Sequence, residues 1–166
     1  MTEPNPDTSF ETTVRLLESG DHADWARLWD AYLTFYKTDL PDSIRRTAWE
    51  RLMDPEEPVI GFIAHRDGKA VGIGNVIIHR SLWRLNPIPY LQDLYTDESV
   101  RGRGVGRAVI QAIYDYAREH EMEEVYWITH ESNTRAQRLY DSIGSKTGFI
   151  QYKKASVRHR GLQSPS

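Results

Sequence analysis

Apolar side chains recur at three- and four-residue intervals at Trp25, Leu28, Trp29, Tyr32, Leu33 and Tyr36. A 3.6-residue period puts all six on one face, so the spacing predicts an amphipathic helix over 22–36. Pro41 opens a second predicted helix, reaching to residue 53, with Ile44, Ala48, Trp49 and Leu52 inward and Pro55 and Pro58 closing it. The clearest helical stripe is Val105, Val109, Ala112, Ile113 and Tyr116, which predicts a helix over 105–119. Asn133 can cap a fourth helix that carries Ala136, Leu139, Tyr140 and Ile143 and stops at Gly144.

The intervening runs read as strands. Residues 10–17 form a short first strand, and 59–65 and 70–79 flank Asp67-Gly68, a hairpin turn signal. A proline-bearing loop over 81–89 leads into a strand at 90–96. Residues 125–130 are nearly all apolar, as in a strand buried on both faces, and 148–153 form the last strand. The order β-α-α-β-β-β-α-β-α-β predicts an α/β domain around a mixed sheet, not a doubly wound one. The polar segments 1–9 and 156–166 read as flexible tails around a single domain, 10–155.

Composition removes several chemistries. The chain has no cysteine, which excludes disulfides, thiolate metal ligands and a cysteine nucleophile. Its histidines (22, 65, 79, 120, 130 and 159) show no metal-ligand spacing, so no metal site is expected. No apolar run approaches the roughly 20 residues that span a bilayer, and the first residues lack a signal peptide's basic start. No membrane association and a cytoplasmic location are therefore expected. A net charge of -3 argues against a nucleic-acid partner and tolerates a cationic substrate.

The segment Arg101-Gly102-Arg103-Gly104-Val105-Gly106 joins a predicted strand to the helix at 105. Glycines allow positive φ and close approach of a ligand to backbone, and a helix N-terminus offers unpaired N–H groups to phosphate oxygens. A triphosphate loop would end Gly-Lys-Ser/Thr, and a dinucleotide fingerprint would space its glycines G-x-G-x-x-G; neither fits. The turn is either another kind of phosphate cradle or a structural turn with solvated arginines.

Arg101-x-x-Gly104-x-Gly106 resembles the pyrophosphate loop of the GCN5-related N-acetyltransferases (GNAT), and Asn133-x-x-Ala136-x-x-Leu139-Tyr140 resembles their second signature. The resemblance covers residues 12–154. Residues 91–95 and 126–133 are similar to the branch containing fungal histone and polyamine acetyltransferases, and less so to the spermidine/spermine enzymes. It implies the GNAT fold: a mixed, mostly antiparallel sheet of six to seven strands, about four helices, and a splayed parallel strand pair that holds coenzyme A. By the same resemblance, Leu94, Tyr95 and Thr96 bond the pantetheine arm, and Arg101, Gly102, Arg103, Gly104, Val105, Gly106 and Arg107 cradle the pyrophosphate. Asn133 fixes the pantetheine from the far side, and Tyr140 stands at the thioester sulfur.

The implied reaction is attack of a primary amine on acetyl-CoA. A lysine-type amine, with a pKa of about 10.4, is only ~0.1% free base near neutrality, so a proton must be removed. The leaving thiolate needs a proton, which a phenol such as Tyr140 can supply; taken alone, a Leu-Tyr pair on a helix is core packing. Gln92 is a candidate for binding the substrate, but as the base it cannot accept a proton usefully. Asp93 is adjacent, but strict alternation points it to the other face unless a bulge re-aims it. It is either a base or amine-binding group, or a surface carboxylate.

Tyr32, Tyr36, Trp83 and Tyr90 are candidates for lining an acceptor pocket, with packing as the alternative for each. The acceptor is a polyamine, a small amine or amino acid, or a protein lysine, and a homodimer is expected from the resemblance. A longer acyl-CoA donor and a catalytically silent CoA-binding module are the alternative functions.

Overall fold

Asp67 and Gly68 both take positive φ, 52° and 73°. That is the two-residue turn whose twist matches the strands it joins. It pairs Arg66 with Lys69 and fixes the register of β2 (Val59–Arg66) against β3 (Lys69–His79). The computed structural model describes residues 11–156. Around this hairpin β1 (Thr13–Leu16), β4 (Ile88–Thr96) and β5 (Tyr126–Trp127) complete a five-stranded sheet in chain order. All neighbours are antiparallel except β4 and β5, which are parallel. The mixed, mostly antiparallel α/β sheet expected from the sequence is present.

The described residues form four α-helices: α1 (His22–Phe35), α2 (Asp42–Met53), α3 (Val105–Glu119) and α4 (Thr134–Asp141). On one face Trp25, Leu28, Trp29 and Leu33 of α1 pack with Ile63, Ile73 and Tyr95 of the sheet. Ala48, Trp49 and Leu52 of α2 lie half-buried against this cluster. Ile44, expected inward, is 40% exposed, because the first turn of α2 overhangs the core's edge.

Strand alternation sends Gly72 and Gly74 to the opposite face, where α3 sits. A Cβ on Gly74 would meet Val109 Cγ1 at 2.8 Å and Ile113 Cδ1 at 3.3 Å. These glycines let the helix lie close on the sheet. Gly74→Val is expected to cost about 2–3 kcal/mol by overpacking, read as a lowered midpoint in urea unfolding.

Arg15 on β1 grips Asp21 with two hydrogen bonds, 2.7 and 2.8 Å, just before α1 begins. The guanidinium holds the Asp21 carboxyl below its ordinary range. This stabilisation is full above the unfolded value of about 3.9 and is lost as pH falls through the lower folded value. Arg15→Met should therefore lower Tm at neutral pH and leave it unchanged in strong acid.

Two strand expectations are corrected. Residues 148–153 form no strand and join no ladder among the described residues. Gly148 takes a φ of 82°, and Phe149, Ile150 and Tyr152 are exposed. An alternating pattern makes a strand only where a neighbour supplies hydrogen bonds. Among the described residues the sheet thus has five strands, fewer than the six to seven expected. The 125–130 run shrinks to two strand residues with Tyr126 exposed and only Val125 buried, so it is an edge, not a strand covered on both faces. The first strand likewise spans only Thr13–Leu16. The polar tails lie outside the described residues, apart from Ser156.

The chain divides into two compact units, with the boundary between Ile128 and Thr129. The first holds the sheet and α1 to α3. The second holds α4, whose start is capped as expected: Asn133 Oδ1 accepts from the Ala136 N–H at 3.3 Å.

Candidate active site

The turn entering α3 has the strained backbone that its glycines foretell. Gly102 and Gly104 adopt φ of 80° and 81°, the left-handed region. A Cβ on either would meet nothing within 4 Å, so the demand for glycine comes from φ and the space beside the backbone is open. The first bond of the α3 ladder is Ala108 N–H to Gly104 O, 2.9 Å, so the N–H groups of Val105 and Gly106 precede the ladder. The first turn carries no acidic residue. Arg103 and Arg107 are exposed at this corner. The site suits an anion.

Arg101 is placed differently from its neighbours. Its guanidinium lies over the rings of Tyr95 and Phe35, 5.7–5.8 Å from their centroids, and Nε donates to Thr96 O at 3.3 Å. It braces the end of β4 against α1. Asp97, held below its ordinary range by the Ser99 hydroxyl and N–H, anchors the loop and pairs with Arg27 of α1 at 3.6 Å.

β4 carries a bulge at Gln92. Val76 pairs with Leu91 but Asn75 pairs with Asp93, leaving Gln92 opposite nothing. The extra residue puts Leu91 and Asp93 on opposite faces, although they are two apart. Leu91 approaches Gly74 on the α3 side. Asp93 turns toward α1, where Trp29 Nε1 reaches its Oδ2 at 3.3 Å and Asn75 Nδ2 reaches the same oxygen at 3.0 Å. The bulge considered for this strand is present and re-aims Asp93, while the Gln92 side chain is exposed.

The same bulge opens the sheet. β5 pairs with β4 only at Tyr90–Tyr126 and Leu91–Trp127. Beyond that point, Gln92 through Thr96, including Leu94, Tyr95 and Thr96, have no strand partner on the β5 side among the described residues. A parallel pair that parts at mid-strand leaves backbone donors and acceptors for an extended ligand.

Asp93 is 6% exposed and surrounded by phenols. Burial, with the Asp93 charge beside it, raises the Tyr32 phenol far above its ordinary pKa, so it stays protonated. Tyr90 is raised for the same reasons in the order burial, Tyr126, Asp93. Tyr36 packs on Tyr32 at 4.9 Å between centroids, and Tyr126 stacks on Tyr90 at 4.9 Å. The structure thus gathers Tyr32, Tyr36, Tyr90 and Asp93, and leaves Trp83 exposed on its loop. Asn133 and Tyr140 belong to the second unit, Asn133 as the N-cap of α4 and Tyr140 in its last turn.

Sequence reasoning missed Asn75. Its signal was available: it is the only side chain with strong hydrogen-bonding groups in the run Ala70 to Ile78, and it is buried. Among the described residues no group of three His, Asp or Glu side chains could hold a metal, and no helix is long and apolar enough to cross a membrane.

A family model described as the acetyltransferase (GNAT) family matches residues 24–144. The D-amino-acid N-acetyltransferase HPA3 of Saccharomyces cerevisiae is 34% identical over 154 residues, 92% of this chain and 96% of that protein. The uncharacterized N-acetyltransferase YhfO of Bacillus subtilis is 26% identical over 141 residues, 84% and 94% of the two chains. In fold, aminoglycoside N-acetyltransferase AAC(6')-Iy in complex with CoA superposes with a TM-score of 0.78 at 19% identity, over 91% of this chain and 99% of that one. A matched family model over most of the chain, together with a splayed β4–β5 pair and a glycine turn at the mouth of α3, makes this chain a member of the GNAT acetyltransferase family, which uses acetyl-CoA as cosubstrate.

Proposed function

We propose that the chain acetylates a small primary amine, with the α-amine of an amino acid as first candidate, and that the acceptor enters on the α1 face at Asp93. The observation that carries this reading is a nearly buried carboxylate ringed by Tyr32, Tyr90 and, behind them, Tyr36 and Tyr126. Only a slim cationic group reaches such an oxygen, and phenol faces attract a cation. The 34% identical relative, named for D-amino acids, supports an amino-acid acceptor.

Acetyl-CoA supplies an activated acyl group, and the chain's residues do the rest. Val105 and Gly106 N–H groups, with Arg103 and Arg107, hold the pyrophosphate. The open edge of Leu94, Tyr95 and Thr96 aligns the pantetheine arm, and Asn133 is the motif residue assigned to the same arm. The anion-binding loop and the free β4 edge suit those two parts of the cosubstrate.

The acceptor's ammonium, drawn to Asp93, gives it one proton and becomes the free amine that attacks the thioester carbonyl. As the C–S bond breaks, Tyr140 protonates the thiolate sulfur. The second nitrogen proton, shed once the C–N bond has formed, restores the Tyr140 phenol after it has protonated the sulfur. The roles of Asn133 and Tyr140 rest on the family motif alone. No covalent enzyme intermediate is required.

A thiol-release assay with acetyl-CoA tests the acceptor class. The panel comprises D- and L-amino acids, spermidine, an aminoglycoside and a lysine-containing peptide. A kcat/KM at least about 10-fold higher for a free amino acid than for the others is the expected outcome. Preference for the peptide would reject the small-amine reading.

A further inference from the structure

The acceptor corner contains a polar cluster that no motif marks. Trp25 and Trp29 are four apart on α1, stacked at 4.9 Å, with both indole N–H groups directed at the sheet. An indole nitrogen donates and never accepts. Trp25 Nε1 therefore takes the carbonyl end of the Asn75 amide, Oδ1, at 3.1 Å. That choice decides the amide's orientation: Nδ2 must face Asp93, and it donates to Oδ2 at 3.0 Å.

Trp29 Nε1 donates to the same Oδ2 at 3.3 Å. Two donors converge on one carboxylate oxygen, so that oxygen is held as their shared acceptor. Oδ1 receives neither of these bonds; the Tyr32 phenol hydrogen-bonds the Asp93 carboxyl, and Tyr90 stands nearby. Asn75, Asp93 and the two indoles are all buried, so the arrangement is held by packing as well as by hydrogen bonds.

Resting on the reading of this corner as the acceptor site, the geometry points to Asn75 and Trp29 as positioning residues that clamp Asp93 Oδ2 and so orient Oδ1 for the incoming amine. Trp25 acts one step further out by fixing the Asn75 amide. The bulge at Gln92 and the pair of indoles are then parts of one device. The bulge turns Asp93 to the α1 face, and the donors hold it there.

The test compares wild type with Trp29→Phe, Asn75→Leu, Asp93→Asn and the double variant Trp29→Phe/Asp93→Asn, using acetyl-CoA and D-alanine. Trp29→Phe keeps a ring in the core and leaves the Trp25–Asn75 bond intact, so it serves even where Asn75→Leu fails to accumulate. Each single positioning variant should lower kcat/KM for the amine by about 10- to 100-fold. The KM for acetyl-CoA should stay within about 2-fold of wild type, since the loop and the β4 edge are untouched. Asp93→Asn should lose at least as much, and the double variant should be no worse than Asp93→Asn alone.

Losses that multiply in the double variant, or unchanged amine kinetics in active Trp29→Phe and Asn75→Leu proteins, overturn this inference alone. A wild-type chain that binds acetyl-CoA but acetylates no amine overturns the acceptor-site reading and this inference together.

Discussion

Tyr140→Phe is expected to lower kcat by about 100-fold while leaving the Kd for acetyl-CoA within about 3-fold of wild type. The magnitude follows from the leaving group. A thiol of pKa about 8.5 is a moderately good leaving group, so withholding its proton donor costs the low end of what general acids contribute. Phenylalanine keeps the ring, so packing on α4 is preserved and only the O–H is lost. Rapid-quench measurement of a single turnover, with binding followed by calorimetry, separates the two quantities. An equal loss in affinity and turnover would mark Tyr140 as a binding residue, and unchanged turnover would end its role as proton donor.

The second large effect is expected at Gly104. Its φ of 81° is forbidding for a β-branched residue, and the space beside it is open. Gly104→Val should cost about 1–2 kcal/mol of fold stability from backbone strain. It should also weaken acetyl-CoA binding by at least about 100-fold, because the side chain fills the volume a phosphate would occupy. The β2–β3 turn supplies the control. Gly68 has a φ of 73° and equally open surroundings, so Gly68→Val should suffer the same strain with no loss of affinity. If both variants bind acetyl-CoA as wild type does, the loop is a structural turn and nothing more.

Local chemistry explains what was legible in the sequence. The stripe from Val105 to Tyr116 predicted α3 to the residue, because a strongly one-sided helix states its own limits. Asp67-Gly68 announced its turn because both positions need positive φ. The reach of residues 125–130 and 148–153 was not legible. Strand length depends on what lies alongside, and an apolar run does not say whether a partner is there.

In the site, the backbone geometry of the glycine turn was legible, but the packing of the Arg101 side chain was not. Nothing local says that its guanidinium lies over Tyr95 and Phe35, the latter 66 positions away in the chain. The Asp93 orientation was legible only as a conditional, since a bulge is a property of two strands in register. Asn75 was visible as a lone amide in an apolar strand, yet its role emerges only when Trp25 and Trp29 arrive from α1.

All of these assignments presuppose that acetyl-CoA lies along the open edge of β4 with its diphosphate at the mouth of α3. Hydrogen exchange on the intact protein with and without coenzyme A tests this at residue level. The account predicts slowed exchange at the Gly102–Gly106 amides and along Leu94–Thr96, with α2 unchanged. Saturating coenzyme A that protects neither segment would contradict it.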